Sequence, residues 1–581
     1  MPGTPTLLLF TRRFLPLLLI TQAAPAADGR DLRIELDFLR TNGPLTSAVE
    51  KDIAISRADL ILSQVSFQKE DGSWLPPARW DGYFSAAGED FSPLLRGLPE
   101  EPMKAVRFRL GTPPEINHAD PASFPADDPL NPARHNMHWE WQTGFIFLAV
   151  EGRLVRSGKP ERGFSYHIGN NANHLEVTVP IDLPADHRTL KLGLDLDAVL
   201  DFDVANAAPA THSRDGDPLA PRIATLATKS FRFLGTRADY YQADTSAPAT
   251  HAPPGTTPLR LEISHRFPQV RLPADNPLTR EGVALGRELF FNPVLSRDGS
   301  VSCASCHHPA AAFADPGKAF SPGIDGRTTH RHSMPLFNLA WHKNFFWDGR
   351  SPTLRDQVLH PIVHPDEMGH DLDAVVSALK ETHADRFAAA FGSPEVSSEK
   401  LALALEQFLL TLLSQNSRFD QAMRGEVKLT DSERRGFQLF VTENDPALGL
   451  RGADCFHCHG GALFSNHDFH NNGLDSDFSK DPGLAAISGN TADLGKFKTP
   501  SLRNIALTPP YMHDGRFATL EEVVEHYDSG IHPSPSLDPN LSKHDGLGLT
   551  DQDKSDLIAF LKTLSDPGFG PAAASPPPHP P

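Results

Sequence analysis

Cysteine is scarce in this chain of 581 residues, and its four copies all fall in two short stretches. Positive charge is also in deficit, because the formal net charge is −19, which argues against a nucleic-acid partner. No apolar run reaches the roughly 20 residues that a membrane-spanning helix needs. Readily oxidised tyrosine, tryptophan and methionine are few beside 36 phenylalanines. The sequence therefore predicts a large, acidic, multidomain protein with no membrane span.

The N-terminus has the pattern of an export signal. Arg12 and Arg13 precede an apolar run from Phe14 to Ile20, and the small residues Ala24-Pro25-Ala26 follow. We expect residues 1–26 to be a signal peptide and the mature chain to be periplasmic or secreted.

The four cysteines form two C-x-x-C-H motifs, Cys303-Ala304-Ser305-Cys306-His307 and Cys455-Phe456-His457-Cys458-His459. This pattern is typical of haem c attachment, in which both thiols bond to the porphyrin and the histidine binds iron. A zinc site or a pair of disulfides is the alternative, but neither needs a histidine directly after the second cysteine. The motifs predict two haem c groups, with His307 and His459 as iron ligands.

Hydrophobic periodicity changes near the middle of the chain. Leu32, Ile34, Leu36 and Phe38 alternate with mostly charged residues, and similar runs recur up to about position 234, which predicts an antiparallel β sandwich or barrel. Later segments have helical spacing. The expected order is a β domain at 27–237, a linker at 238–258, mainly α cytochrome c-like domains at 259–425 and 426–566, and a disordered tail at 567–581.

An internal repeat supports two related haem domains. Leu278-Thr279, Gly286 and Leu289-Phe290 precede the first motif, and Leu429-Thr430, Gly436 and Leu439-Phe440 precede the second. In the second copy, Thr430 with Glu433 fits the capping-box pattern of a helix start.

From about 273 to 566 the sequence resembles the bacterial di-haem cytochrome c peroxidase family. The resemblance is carried by four runs: Phe346-Trp347-Asp348-Gly349-Arg350, Glu367-Met368-Gly369, Lys498-Thr499-Pro500-Ser501-Leu502-Arg503-Asn504 and Pro510-Tyr511-Met512-His513-Asp514-Gly515. Trp347, Gln357 and Glu367 reproduce the ten-residue spacing of the MauG-like branch of that family. The resemblance implies that Glu367 transfers protons, Gln357 orients hydrogen peroxide and Trp347 relays an electron between the haems.

Each haem iron can take a second ligand on the side opposite its histidine. Aligning the helix at 520–526 with the MauG-like branch puts Tyr527 on the second haem, where a phenolate would stabilise oxidised iron. Met512 and His526 are the alternatives. The first haem is expected to be open, because the nearest candidates to close it, His330 and His332, do not match the family's position.

The family resemblance also implies calcium between the haem domains. The backbone carbonyls of Thr508 and Pro510 match two of its ligand positions. The third position, an asparagine in the family, holds His332 here, and imidazole is a poor calcium ligand.

The strand region resembles MbnP, a copper-associated protein whose partner is a MauG-like di-haem enzyme. The resemblance is carried by Leu110-Gly111-Thr112-Pro113, Met137-His138-Trp139-Glu140-Trp141-Gln142-Thr143-Gly144 and His167-Ile168-Gly169, although this domain lacks the four cysteines usual there. It implies that Trp139 or Trp141 is oxidised to kynurenine. It also implies a copper site, with His167, His138 and His118 as candidate ligands.

Together the resemblances imply a peroxide-dependent di-haem oxidase acting on a tryptophan of its own N-terminal domain. A high-valent di-haem intermediate would carry out the oxidation, which creates or tunes a copper site. One alternative is a di-haem cytochrome c peroxidase that reduces hydrogen peroxide with an external electron donor. Another is a copper carrier whose haems only transfer electrons.

Overall fold

A computed structural model describes residues 29–570, with gaps at 41–52, 87–89, 121–122, 126–127, 132–134, 136, 140–143, 155–161, 215, 239–251, 265, 269, 271, 445–449 and 543–545. The predicted signal peptide, Trp141 and most of the predicted linker and tail therefore lie outside the described residues. Among the helices that are described, none combines the length and apolar character needed to cross a lipid bilayer.

The N-terminal half forms two β-sheets that pack around one core. Its strands are β1 (Arg30–Leu39), β2 (Ile53–Lys69), β3 (Ala78–Ser85), β4 (Leu95–Leu98), β5 (Met103–Leu110), β6 (Ile146–Leu154), β7 (Arg162–Gly169), β8 (Glu176–Leu183), β9 (Thr189–Asp195), β10 (Ala210–Thr211) and β11 (Phe231–Arg237). Three helices join them: α1 (Pro114–Asn117), α2 (Leu196–Val199) and α3 (Leu219–Lys229). The predicted β domain is confirmed.

The strands of the N-terminal domain are arranged in two sheets. One sheet has the order β11-β9-β1-β4, and the other has the order β10-β7-β6-β2-β5-β8, with β3 also paired to β2. In β8 every second residue is buried, as a half-buried strand requires. Most pairs are antiparallel as predicted, but β1 with β9 and β7 with β10 are parallel.

The C-terminal half is mainly helical, as predicted. The first haem domain contains α4 (Arg280–Phe290), α5 (Leu354–Gln357), α6 (His360–Val363), α7 (Leu372–Phe391) and α8 (Ser398–Leu410). The second contains α9 (Arg418–Met423), α10 (Asp431–Phe440), α11 (Phe456–His459), α12 (Ala485–Ser488), α13 (Leu520–Ser529), α14 (Asp551–Lys562) and the short strands β12 (Phe469–His470) and β13 (Phe497–Lys498). The predicted capping box of Thr430 and Glu433 begins α10.

The internal repeat corresponds to the same helix crossing in both haem domains. Gly286 of α4 packs against α8 so closely that a Cβ atom there would lie 1.8 Å from the Ala404 carbonyl oxygen. Gly436 of α10 packs against α14, where a Cβ atom would lie 1.9 Å from the Asp556 carbonyl oxygen. Each repeated glycine therefore lets two helix backbones come into contact.

The domain boundaries remain predictions, but the cores indicate where each unit packs. Phe419 already belongs to the core of the second haem domain. Residues Pro567–Phe569, expected in the disordered tail, form a short 3-10 turn, and Phe569 is buried in the core of the first haem domain. The C-terminal end of the described chain thus returns to the first haem domain.

We predict that Gly436→Ala destabilises the second haem domain. The added methyl group would collide with the α14 backbone, and overpacking of this kind costs about 1–3 kcal/mol. Thermal unfolding of the haem-loaded chain, followed by circular dichroism, should show a transition several degrees lower. Gly570→Ala is the matched control, since a Cβ atom there has nothing within 4 Å. Equal melting of Gly436→Ala and the control would contradict the close crossing.

Candidate functional site

The first C-x-x-C-H motif borders a cavity of about 630 Å³. Cys303, Cys306 and His307 line it together with Gln357 and Glu367. His307 Nδ1 lies 2.7 Å from the Phe313 carbonyl oxygen. A carbonyl can only accept, so Nδ1 carries the proton and Nε2 is available to a metal. The two predicted distal residues thus share one cavity with the predicted iron ligand.

The electrostatics around Glu367 suit proton transfer. Burial raises the pKa of the Glu367 carboxyl, and the nearby side chains of His364, Arg350 and His360 only partly oppose this. His364 Nδ1 is 3.8 Å from Glu367 Oε1. Backbone hydrogen bonds fix the segment, since Glu367 N–H donates to the His364 carbonyl and the Glu367 carbonyl accepts from Ile324 N–H. A held carboxyl group with a raised pKa can both accept and return a proton.

The two histidines nearest to the first haem motif do not reach this cavity. His330 is exposed and pairs with Asp366 at 3.2 Å, and His332 lines the second cavity instead. Among the described residues that line the first cavity, His307 is the sole histidine. The arrangement is compatible with the open position that the sequence predicts, which stays a prediction.

The second motif borders a larger cavity of about 1550 Å³. Cys455, Cys458 and His459 line it, and His459 Nδ1 lies 3.3 Å from the Phe464 carbonyl oxygen. The two cavities therefore present the same set: two sulfurs and one imidazole whose Nδ1 is held by a carbonyl. This donor set, beside a cavity in each case, fits a haem c.

Two of the three candidates for the second iron ligand face the second cavity. Tyr527 and Met512 both line it, and the Asn472 side-chain nitrogen lies 3.4 Å from Tyr527 Oη and 3.4 Å from Met512 Sδ. His526 does not, because its Nε2 lies 3.1 Å from the Asn472 carbonyl oxygen. Burial raises the pKa of the Tyr527 phenol, so a compensating charge such as a metal ion would be needed to ionise it.

Trp347 belongs to the wall between the cavities. It is buried, lines the second cavity and donates its indole N–H to the His332 carbonyl oxygen at 2.8 Å. The next residue, Ser333, lines the first cavity. The structure therefore brings Gln357 and Glu367 together in one cavity and separates Trp347 from them by this single backbone segment.

An imidazole stands at one of the three positions that match the family's calcium ligands. His332 Nδ1 lies 3.0 Å from the Lys318 carbonyl oxygen and therefore donates a proton to it. Calcium is bound by six to eight oxygen atoms, typically at about 2.3–2.6 Å. The His332 N–H therefore does not replace the family's asparagine as a ligand, while the backbone carbonyls of Thr508 and Pro510, which both line the second cavity, stay predicted ligands.

The three candidate copper ligands of the N-terminal domain have different neighbours. His118 Nε2 lies 3.1 Å from the Asn171 side-chain nitrogen. His138 packs against Phe145, with ring centroids 4.6 Å apart. His167 lies on β7, and its Nε2 is 2.8 Å from Glu151 Oε1.

His167 instead lies beside His212 and His457, two histidines that were not among the predicted copper ligands. Trp139 also contacts this group, since its ring centroid is 6.2 Å from that of His212. One signal was available in the sequence: His457 occupies a variable position of the second haem motif, where the first motif has Ala304-Ser305. No pattern in the sequence indicated His212, because a two-residue parallel strand brings it into place.

Comparison with protein families gives a separate match for each half of the chain. A family model described as di-haem cytochrome c peroxidase, CCP_MauG, matches residues 280–428. A family model described as MbnP matches residues 24–214.

Individual relatives match the C-terminal half. The methylamine utilization protein MauG of Methylorubrum extorquens is 39% identical over 309 residues, covering 52% of this chain and 84% of the relative. The cytochrome c551 peroxidase of Nitrosomonas europaea is 34% identical over 298 residues, covering 50% of this chain and 82% of the relative. A solved structure described as a MauG-like protein associated with microbial copper homeostasis is 35% identical, covers 55% of this chain and 98% of its own, and has a TM-score of 0.49.

Proposed function

Since the chain belongs to the di-haem cytochrome c peroxidase family that includes MauG, we propose that it uses hydrogen peroxide to oxidise a tryptophan of its own N-terminal domain. The product is kynurenine, which helps to form a copper site. An exported, periplasmic location fits this chemistry, because haem c is attached after export.

The observation that carries the proposal is the short path from Trp139 through His212 to the second haem motif. The Trp139 ring lies 6.2 Å from that of His212, and His212 in turn lies 5.8 Å from Phe456 and 5.0 Å from His457, all measured between ring centroids. A single imidazole ring therefore separates the tryptophan from residues that stand between Cys455 and Cys458. Since both partners belong to one chain, the oxidised residue is held at a high effective concentration.

The haem irons, once bound, supply the oxidising power that hydrogen peroxide brings to the site. The side chains of the first cavity orient the peroxide and move its proton. Glu367 accepts a proton from it at a carboxylate oxygen and returns that proton to the departing oxygen, which leaves as water. Gln357 orients the peroxide through its amide. Trp347, in the wall between the cavities, is suited to pass an electron from one to the other.

Electron counting requires repeated turnover. Each hydrogen peroxide accepts one pair of electrons as it becomes water. Addition of two oxygen atoms to the indole ring gives N-formylkynurenine and removes four electrons, and water then hydrolyses the formyl group to give kynurenine and formate. Two peroxide molecules are therefore consumed for each tryptophan. The product carries an aniline nitrogen and a ketone, which can bind copper together with histidine nitrogens. His167 is the preferred histidine, with His138 and His118 as the further candidates.

A second candidate function is a peroxidase that reduces hydrogen peroxide with electrons from an external donor. Met512 favours it, because this side chain lines the second cavity beside Tyr527. A thioether ligand stabilises reduced iron, as a haem that receives electrons from a donor protein requires.

We predict that peroxide converts Trp139 to kynurenine in the purified haem-loaded protein. Mass spectrometry of the peptide with Trp139 and Trp141, before and after peroxide, identifies the modified residue. Glu367→Gln and Trp347→Phe should each abolish the conversion, because one removes the proton acceptor and the other removes the relay.

Trp74→Phe is the matched control, since Trp74 belongs to the same domain but stacks on Arg107 instead. It should leave the yield of kynurenine unchanged. Rapid consumption of peroxide with both tryptophans intact would favour the peroxidase. Conversion of Trp141 alone would contradict the contact through His212.

The reaction with peroxide should slow as the pH is lowered through the pKa of Glu367. Burial raises this pKa above its usual range, and only the ionised carboxylate can accept a proton, so the fast form is lost on the acidic side. Stopped-flow absorbance against pH measures the effect. Glu367→Gln should be slower by about 10²–10⁴-fold and should lose this dependence. An unchanged pH profile in Glu367→Gln would assign the proton transfer to another group.

Substitution of the two candidate ligands distinguishes the two functions. We expect Tyr527→Phe to change the absorption and electron paramagnetic resonance spectra of one haem, and Met512→Leu to leave them as in the wild type. The phenol is lost in the first variant, while the second keeps a side chain of similar size. The reverse result would identify Met512 as the ligand and support the peroxidase.

A further inference from the structure

Three buried histidines meet where the N-terminal domain packs on the second haem domain. His167 lies on β7, His212 directly follows β10, and His457 lies on α11. Their exposed fractions are only 4%, 4% and 7%. One ring nitrogen of each lies within 4.8 Å of the corresponding atoms of the other two. We name this group the three-histidine centre.

Backbone pairing holds two members of the centre in place. The parallel strands β7 and β10 pair Ala210 with Ser165 and Thr211 with Tyr166. The same register, continued by one residue, sets His212 beside His167, and their ring centroids lie 4.9 Å apart. His457 closes the group from the other domain, at 5.7 Å from His167 and 5.0 Å from His212 between ring centroids.

Each imidazole of the centre has its own carboxylate. Glu151 Oε1 lies 2.8 Å from His167 Nε2, Glu443 Oε2 lies 2.8 Å from His212 Nδ1, and Asp454 Oδ1 lies 3.5 Å from His457 Nε2. This carboxylate–histidine arrangement is common at metal sites, where the second nitrogen of each ring is directed at the ion.

The second ring nitrogens of His167 and His212 are available for such an ion. Nδ1 of His167 and Nε2 of His212 are buried, and neither has a hydrogen-bond partner among the described residues. A buried polar atom without a hydrogen-bond partner destabilises the folded protein by about 1–3 kcal/mol. Two such atoms in one group are therefore best explained by a ligand that binds both.

We infer that His167, His212 and His457 bind one copper ion between the two domains, with His457 supplied by the second haem motif. Metal–imidazole bonds are about 2.0–2.1 Å long, so two ligand nitrogens end at most about 4.2 Å apart. The rings therefore need to close by less than about 1 Å. Copper is the favoured ion because imidazole suits it and because Cu²⁺ heads the stability order of the divalent first-row metals.

His457 gives the site its distinctive property. It lies between the two cysteines that attach the second haem, so the copper shares a ligand segment with that haem. The ion also bridges the domains, which means that the N-terminal domain by itself has an incomplete site. This inference deepens the copper part of the proposed function, but it does not rest on tryptophan oxidation, because the three imidazoles are present before any peroxide is added.

The test is copper binding by the purified, haem-loaded, full-length protein before any exposure to peroxide. After removal of metals with a chelator, the protein is titrated with Cu²⁺, the retained copper is counted by elemental analysis, and electron paramagnetic resonance reports nitrogen ligands. We expect one tightly bound copper with hyperfine coupling to several nitrogens. His457→Phe, His212→Phe and His167→Phe should each weaken binding at least about tenfold.

The matched control is His330→Phe, which removes an exposed histidine of the haem half and should leave copper binding unchanged. Haem content is measured for every variant by its absorption. Where His457→Phe fails to acquire haem, His212→Phe remains decisive, because His212 lies outside the attachment motif.

Three results would overturn the inference. Wild-type affinity in His457→Phe would confine any copper to the N-terminal domain. Wild-type affinity in all three variants, with loss in His138→Phe or His118→Phe, would move the site to the other candidates. Retention of Zn²⁺ in preference to Cu²⁺ would identify a zinc site. Kynurenine formation is measured separately, so a failure of tryptophan oxidation and a failure of copper binding are distinguishable.

Discussion

The packing of β7 and β10 on the second haem motif is the contact on which the rest of the structure depends. It packs Phe456 and His457, which belong to a cofactor-attachment segment, against His167 and His212 of a β domain. Part of the contact is backbone, since Gly163 N–H donates to the Ser542 carbonyl and a Cβ atom at this glycine would lie 2.1 Å from the Pro539 carbonyl oxygen. A larger residue at 163 would hold the two domains apart.

Buried charge makes this contact more demanding than an apolar one. Arg57 pairs with Asp59 and with Glu151, and Glu151 also accepts from His167. Burial alone would raise the pKa of Glu151, but the Arg57 guanidinium holds it well below its usual range. Such a network is stabilising only while every member is paired, and removal of one partner typically costs about 3–5 kcal/mol. This network lies within the N-terminal domain and holds His167 in one position at the interface.

Local patterns in the sequence were enough to predict the architecture and the haem motifs. Alternation such as that of Leu32, Ile34 and Leu36 identified the β domain, and the C-x-x-C-H motifs with their flanking runs identified the di-haem half, as the separate family matches confirm. Long-range pairing could not be predicted in the same way. The parallel register that sets His212 beside His167 depends on a strand of only two residues, and two residues carry no periodicity. Likewise, the direction of the His332 side chain depends on the Lys318 carbonyl and on no motif.

The two haem motifs differ in the residues between their cysteines. This difference matches the two proposed roles, which are reaction with peroxide at the first motif and contact with the N-terminal domain at the second. The first motif has the small residues Ala304 and Ser305, and the cavity beside its attachment residues is also lined by the polar side chains of Gln357 and Glu367. In the second motif, Phe456 and His457 stack on one another at 4.3 Å and project into the β domain. Chemistry on a small molecule needs room beside the first motif, whereas communication with a second domain needs side chains that reach out from the other. An exchange of the two dipeptides would therefore remove the contact with His212 while keeping all four cysteines, which separates the capacity to hold two haems from the capacity to act on the N-terminal domain.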